Sequence, residues 1–188
     1  MNTKQKRKYR DIVDGFSGQK IMVIGDIILD MYFLGVVERI SPEAPVPILR
    51  VTDEKSYLGG AANVASNFKS LGACAELFGV VGEDVFGRQV FRELEHRKIG
   101  SDGVVFVSGR PTTVKIRAMS GARQLLRIDF ETDEDISFET EEKIIAVARE
   151  KMKDSNAVIF ADYRKGMLTD RLVATLLETA SAQYFDNF

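Results

Sequence analysis

An α/β architecture, with an open and mostly parallel sheet covered by helices and a small β appendage, is what this 188-residue chain encodes. Three observations carry that expectation. Short apolar runs ending near glycine alternate with helix-like segments, the pattern of a parallel sheet fed by helical crossovers. Two β-rich runs stand side by side at 112–119 and 124–130, interrupting the alternation as a hairpin does. Finally, 45% hydrophobic residues in a chain of this length suffice for a packed core.

The chain opens with Lys4, Lys6, Arg7, Lys8 and Arg10, and no apolar run follows before Ile21. That is no signal peptide; it reads as the solvated face of a first helix, with nucleic-acid contact as the minor reading. Ile21-Met22-Val23-Ile24-Gly25 reads as a buried parallel strand, and polar and aromatic alternation continues through Phe33. Three prolines in Ser41-Pro42-Glu43-Ala44-Pro45-Val46-Pro47 make that segment extended or turning. Ile48 to Tyr57 mixes β-branched and charged residues as an exposed, lid-like strand does. Gly59-Gly60 then breaks the chain, and Ala61 to Leu71 has the small residues of a tightly packed helix.

Strand Ala75 to Val81, helix Asp84 to Arg97 and strand Val104 to Val107 repeat the pattern. The hairpin runs, Thr112 to Met119 and Gln124 to Phe130, are joined by Ser120-Gly121-Ala122-Arg123. An acidic run from Glu131 to Asp135, read as a solvated loop, leads into a helix from about Glu139 to Lys153. Strand Ala157 to Ala161 and a last helix from about Thr169 to Ala182 follow. Ser181 to Phe188 adds a polar and aromatic tail without another apolar run, so the unit is expected to be C-terminally truncated.

A formal charge of -2 argues against a general nucleic-acid binder but leaves room for a small anionic ligand. Cys74, the only cysteine, cannot form an internal disulfide and is expected to be a small packed residue. His96, flanked by Glu95 and Arg97, reads as a surface residue, and one histidine with one cysteine builds no zinc site. No run approaches the ~18 to 20 apolar residues of a membrane span, so a soluble, cytoplasmic protein is expected.

Several residues fall where open α/β sheets bind ligands, at the C-terminal ends of strands. Asp26 and Asp30 follow the first strand and serve either sugar hydroxyls or turn and capping chemistry. Gly59-Gly60-Ala61-Ala62-Asn63 sits at a strand-to-helix junction, where backbone N–H groups can approach a ligand, or where glycines serve the turn alone. Gly82 and Asp84 suit a turn and a helix cap. Lys115 and Arg117 share one face of their strand and Arg127 and Asp129 share another, as a clamp for a phosphorylated sugar or as a solvated surface. Asp162-Tyr163-Arg164-Lys165-Gly166 offers a carboxylate and two cations after the strand at 157–161. The sequence contains neither a Gly-x-x-x-x-Gly-Lys-Ser/Thr loop nor a Gly-x-Gly-x-x-Gly fingerprint.

Gly25-Asp26 through Asp30, the Gly59-Gly60 junction and Gly79 to Gly87 together resemble the ribokinase/PfkB carbohydrate kinase family. One branch is closer still. Arg39 to Pro47, Gly59 to Ala65, Leu126 to Glu131 and Asp162 to Gly166 look like the D-glycero-β-D-manno-heptose-7-phosphate kinase domain of lipopolysaccharide-core biosynthesis. The resemblance runs from about residue 8 to about residue 180.

That resemblance implies a ribokinase-like fold with β-lid segments near 31–57 and 112–130. It implies a sugar site at Asp30, Gly59, Gly60 and Asn63, a lid that also forms a homodimer contact, ATP with Mg²⁺ as donor, and transfer to the anomeric oxygen of heptose 7-phosphate. Arg127, Asp129, Asp162 and Lys165 are the further candidates for binding that phosphorylated sugar. Family members carry an Asn-x-x-Glu and a Gly-Ala-Gly-Asp motif, the latter supplying the base and the anion hole; neither string occurs in these 188 residues. No catalytic or metal-binding residue is therefore assigned, and the chain is expected to be inactive alone. The alternatives are a fragment of another ribokinase-family kinase, or a non-catalytic sugar-phosphate-binding or dimerisation module.

Overall fold

Residues 2–185 are described by the structure, a computed structural model. The basic start forms helix α1 (Thr3–Asp14), closed by a capping box between Asn2 and Gln5, with Tyr9, Ile12 and Val13 exposed. Strand β1 (Lys20–Gly25) sets the layering that follows. Successive side chains point to opposite faces of a strand, and Ile21, Met22, Val23 and Ile24 are all buried, so both faces of β1 must be covered.

Strands β2 (Ile27–Ile40) and β3 (Pro47–Gly59) come next, then helix α2 (Gly60–Ser70), strand β4 (Cys74–Gly82), helix α3 (Val85–His96) and strand β5 (Gly100–Val107). The hairpin is β6 (Thr113–Ser120) and β7 (Arg123–Phe130), followed by helix α4 (Phe138–Met152), strand β8 (Ala157–Ala161) and helix α5 (Asp170–Phe185). Tail residues 186–188 lie outside the described residues.

A four-stranded parallel sheet runs in the order β5-β4-β1-β8. Ile21 and Val23 join Leu77, Val90 and Leu94 in one apolar cluster, with α2 and α3; Met22 and Ile24 join Phe78, Ile144, Leu172 and Leu176 in the other, with α4 and α5. This is the expected α/β class: a parallel sheet between two helical layers.

The β appendage is larger than the sequence suggests. It is a second four-stranded sheet in the order β3-β2-β6-β7, drawn from residues 27–59 and 113–130. Here β2 continues to Ile40 because β3 pairs with it along its length, from Ile28↔Gly59 to Ile40↔Pro47. The lid's inner face, with Leu29, Met31, Val114 and Ile116, joins the cluster under α2 and α3. Cys74, expected to be packed, is exposed: it begins β4 opposite Lys20, at the sheet margin.

Candidate functional site

Asp26 occupies the joint between the two sheets. Its N–H donates to the Ala161 carbonyl at the end of β8 (3.2 Å), and its own carbonyl accepts the Ala61 N–H at the start of α2 (2.8 Å). The carboxylate is 3% exposed. Its Oδ2 accepts the N–H groups of Tyr163 (2.8 Å) and Lys165 (3.2 Å), and its Oδ1 accepts that of Met167 (3.2 Å). A buried carboxylate satisfied by three amides builds the turn, and of the two readings open for Asp26 the geometry selects this one. Its consequence is positional: the loop at 162–169 is held beside the start of α2 and the base of β2.

Asp30 lies four residues further on, within β2, and is half-buried. Arg117 Nη1 donates to its Oδ1 at 2.6 Å, and that guanidinium sits 5.3 Å from the centre of the Tyr32 ring. The Gly59 α-carbon packs against the same carboxylate, where any added Cβ would collide with Asp30 Oδ2. Gly60 adopts φ +55°, and a Cβ there would strike the Asp26 carbonyl. The glycine pair therefore does more than turn the chain: it brings the α2 N-terminus against Asp30. Asn63, in the first turn of α2, is exposed, and its side chain makes no hydrogen bond to protein among the described residues.

The hairpin register corrects the expectation that its charges occupy two faces. Lys115 lies opposite Asp129 and Arg117 opposite Arg127, and directly opposed residues of paired strands share a face. In the parallel pairing of β2 with β6, Asp30 is the partner of Lys115 and Tyr32 of Arg117. All of these side chains thus line one face of the lid. Alternation within each strand is readable from sequence; the register between strands is not.

A continuous ion network runs across that face. Lys115 Nζ donates to Asp129 (3.2 Å) and Glu131 (2.8 Å), and Arg127 Nε donates to both Asp129 oxygens (2.8 and 3.1 Å). The other Glu131 oxygen meets Lys165 Nζ at 2.9 Å, so Glu131 joins the lid to the loop after β8. Hydrogen bonds from Lys115 and Lys165 hold the Glu131 carboxyl below its usual range. Burial alone would lower the Lys115 pKa, but its bonds to Glu131 and Asp129 outweigh that and raise it.

Of the sequence candidates, Arg127, Asp129 and Lys165 belong to this network; Asp30, with Gly59 packed against it, shares that face through its pair with Arg117, while Gly60 opens α2 beside Asp26 and Asn63 lies in the first turn of that helix. Asp162 stays outside: it is exposed, and its carboxylate accepts the Arg164 N–H at 2.7 Å within its own turn. Glu131, expected to be part of a solvated loop, is the functional-looking residue that sequence reasoning passed over. The usable signal was the step of two through Arg127, Asp129 and Glu131, which carries the β7 face one residue beyond the strand.

The array can orient hydroxyl groups through carboxylate acceptors and hold an anion through lysines. Among the described residues, no group of three or more His, Cys, Asp or Glu side chains converges as a metal centre requires.

Comparison with known proteins agrees with the fold and narrows the family. A sequence family described as pfkB family carbohydrate kinase matches residues 18–185. The chain is 43% identical over 170 residues to the bifunctional protein HldE of Hyphomonas neptunium, covering 90% of this chain and 35% of that protein. It is 44% identical over 160 residues to the same-named protein of Wolinella succinogenes, covering 85% and 34%. The chain thus spans about a third of the length of these curated relatives. Among solved structures, ribokinase from Arabidopsis thaliana complexed with ribose and ATP aligns with a TM-score of 0.61 at 16% identity, over 89% of this chain and 51% of that one. Ribokinase from Giardia lamblia aligns with a TM-score of 0.59 at 18% identity, over 88% and 51%. On the family match across nearly its whole length, this chain belongs to the pfkB family of carbohydrate kinases.

Proposed function

We infer that this chain is the sugar-binding portion of a heptose-7-phosphate kinase, an enzyme that phosphorylates the anomeric oxygen in lipopolysaccharide-core heptose synthesis. The observation that carries this reading is the packing of Asp30 against Gly59 and the α2 N-terminus. It fixes a carboxylate at the ligand edge of the sheet, where hydroxyls are read in set directions. The strings at 39–47 and 126–131, together with similarity to bifunctional HldE proteins, favour a heptose over other sugars.

In this reading Asp30 accepts hydrogen bonds from sugar hydroxyls and Asn63 adds an amide from the first turn of α2. Lys165 and Arg127 supply positive charge to the substrate's phosphate, and Asp129 holds Arg127 in place. Asp162 is assigned to the outer rim. ATP with Mg²⁺ is the donor in the family. The lid exposes Val51, Leu126, Ile128 and Phe130, apolar surface that supports a homodimer through the lid.

A thermal-shift panel tests the sugar assignment. Heptose 7-phosphate is expected to stabilise the chain above fructose, ribose and adenosine at equal concentration. Stabilisation by one of those three in place of heptose 7-phosphate would move the protein to another sugar. In a coupled ADP-release assay the isolated chain is expected to show no substrate-dependent turnover; saturable binding with no turnover is the combined result that this reading requires.

A further inference from the structure

We propose that Lys115 and Lys165 form a phosphate-monoester site whose built-in occupant is Glu131, displaced when the phosphate of the ligand arrives. The inference rests on the reading of this chain as a sugar-phosphate binder and adds the group that guards the site. Two lysines from separate elements, β6 and the loop after β8, reach the two oxygens of one carboxylate at 2.8 and 2.9 Å. A phosphate also presents two oxygens to two donors, so the dianion can take both lysines at once. Both lysine side chains are only about one-fifth exposed (18% and 19%), and two such cations on one carboxylate require an anion between them.

Glu131 is suited to leave. It sits just past the end of β7, in the connection to α4, and its side chain, 30% exposed, is more open to solvent than either lysine. Its departure releases Lys165 Nζ and leaves the neighbouring ties in place. The Ile136 N–H donates to the Gly166 carbonyl at 2.9 Å, and Arg110 donates to the carbonyls of Glu134 and Lys165. Those backbone ties already fasten the 131–136 segment to the loop after β8. Lys115 also keeps Asp129 as a partner, and Asp129 is itself held by Arg127. The carboxylate bridge is therefore redundant as a structural tie, and its remaining role is to neutralise the lysines while the site holds no ligand.

An internal competitor lowers the affinity for phosphate and leaves the affinity for a neutral sugar unchanged. Calorimetric titration of inorganic phosphate at fixed ionic strength, into the whole chain and its Glu131→Gln variant, reads this directly. The variant is expected to bind phosphate about tenfold more tightly. Glu131→Asp, whose shorter carboxylate cannot span both lysines, is expected to fall between, and adding Lys165→Met to Glu131→Gln is expected to cancel the gain. Equal or weaker phosphate binding by Glu131→Gln, in protein whose thermal unfolding remains cooperative, overturns the proposal. Parallel titration of heptose 7-phosphate separates the two readings. If it binds no better than inorganic phosphate while the order of the variants holds, the sugar assignment fails and the guarded anion site stands.

Discussion

The carboxylate of Asp30 rests against the α-carbon of Gly59 and leaves no room for a side chain there. At φ -114° the Gly59 backbone is one that any residue adopts, so the demand for glycine is steric. Gly59→Ala is expected to push Asp30 off its Arg117 partner, costing roughly 1 to 3 kcal/mol of stability as overpacking does. Urea denaturation reads that loss. The same substitution should weaken sugar-phosphate binding at least tenfold, and unchanged binding would separate Asp30 from the ligand.

Asp26 supports a different prediction, because its partners are backbone amides and its role is to shape the loop after β8. Asp26→Ala leaves the N–H groups of Tyr163, Lys165 and Met167 without their acceptor. The expected cost is roughly 3 kcal/mol, since bonds to a charged group exceed neutral ones and buried donors are left unpaired. Denaturant unfolding of the variant checks the size. Hydrogen exchange is expected to place the gain in amide mobility at residues 162–167.

The fold is legible in the sequence where one strand decides its own fate. In β1 the buried run Ile21 to Ile24 declares both faces covered, and in β8 the boundaries at Ala157 and Ala161 are those expected from the apolar run. What the sequence hides is pairing. Lys115, Arg117, Arg127 and Asp129 alternate correctly within their strands, yet only the register puts them on one face. Asp26 and Asp30 have equal standing on paper, four residues apart at one strand end. The tertiary arrival of the 162–169 loop makes one a buried clasp and leaves the other beside the glycine pair. Glu131 was obscured by its neighbours: within an acidic run, nothing marks one carboxylate for two distant lysines.

Asp84 gives the pH dependence a defined sign. It caps α3 through the Gly87 N–H (2.8 Å) and accepts from the Thr112 N–H (2.9 Å) and hydroxyl (2.8 Å), tying the helix to the start of β6. Burial alone would raise its carboxyl pKa, but the bonds from Thr112 and Gly87 outweigh it and hold the value below the usual aspartate range. A carboxyl depressed in the folded state stabilises above its unfolded pKa, and that contribution fades as pH falls through the folded value. Asp84→Ala is therefore expected to cost about 1 to 2 kcal/mol near neutrality, with the gap to wild type closing below about pH 4. A gap that persists undiminished at pH 2 would place the effect in packing.

The outer position of β8 among the described strands bears on association. Among the described residues, in the order β5-β4-β1-β8, this strand pairs only with β1, and its Ala-Val-Ile-Phe-Ala sequence has no charge or proline to discourage further pairing. Size-exclusion chromatography is expected to show concentration-dependent association, reduced by a lysine at Val158. A monodisperse monomer with a sharp unfolding transition above about 55 °C would contradict it.

On the proposed function, Asp30 at the junction of lid and sheet reads the phosphorylated sugar. Calorimetric titration of heptose 7-phosphate into wild type and Asp30→Ala tests it most directly. Saturable binding by wild type and a loss of about tenfold to a hundredfold in the variant are expected, the worth of one half-buried hydrogen-bonding partner removed. Identical isotherms for the two proteins would contradict it.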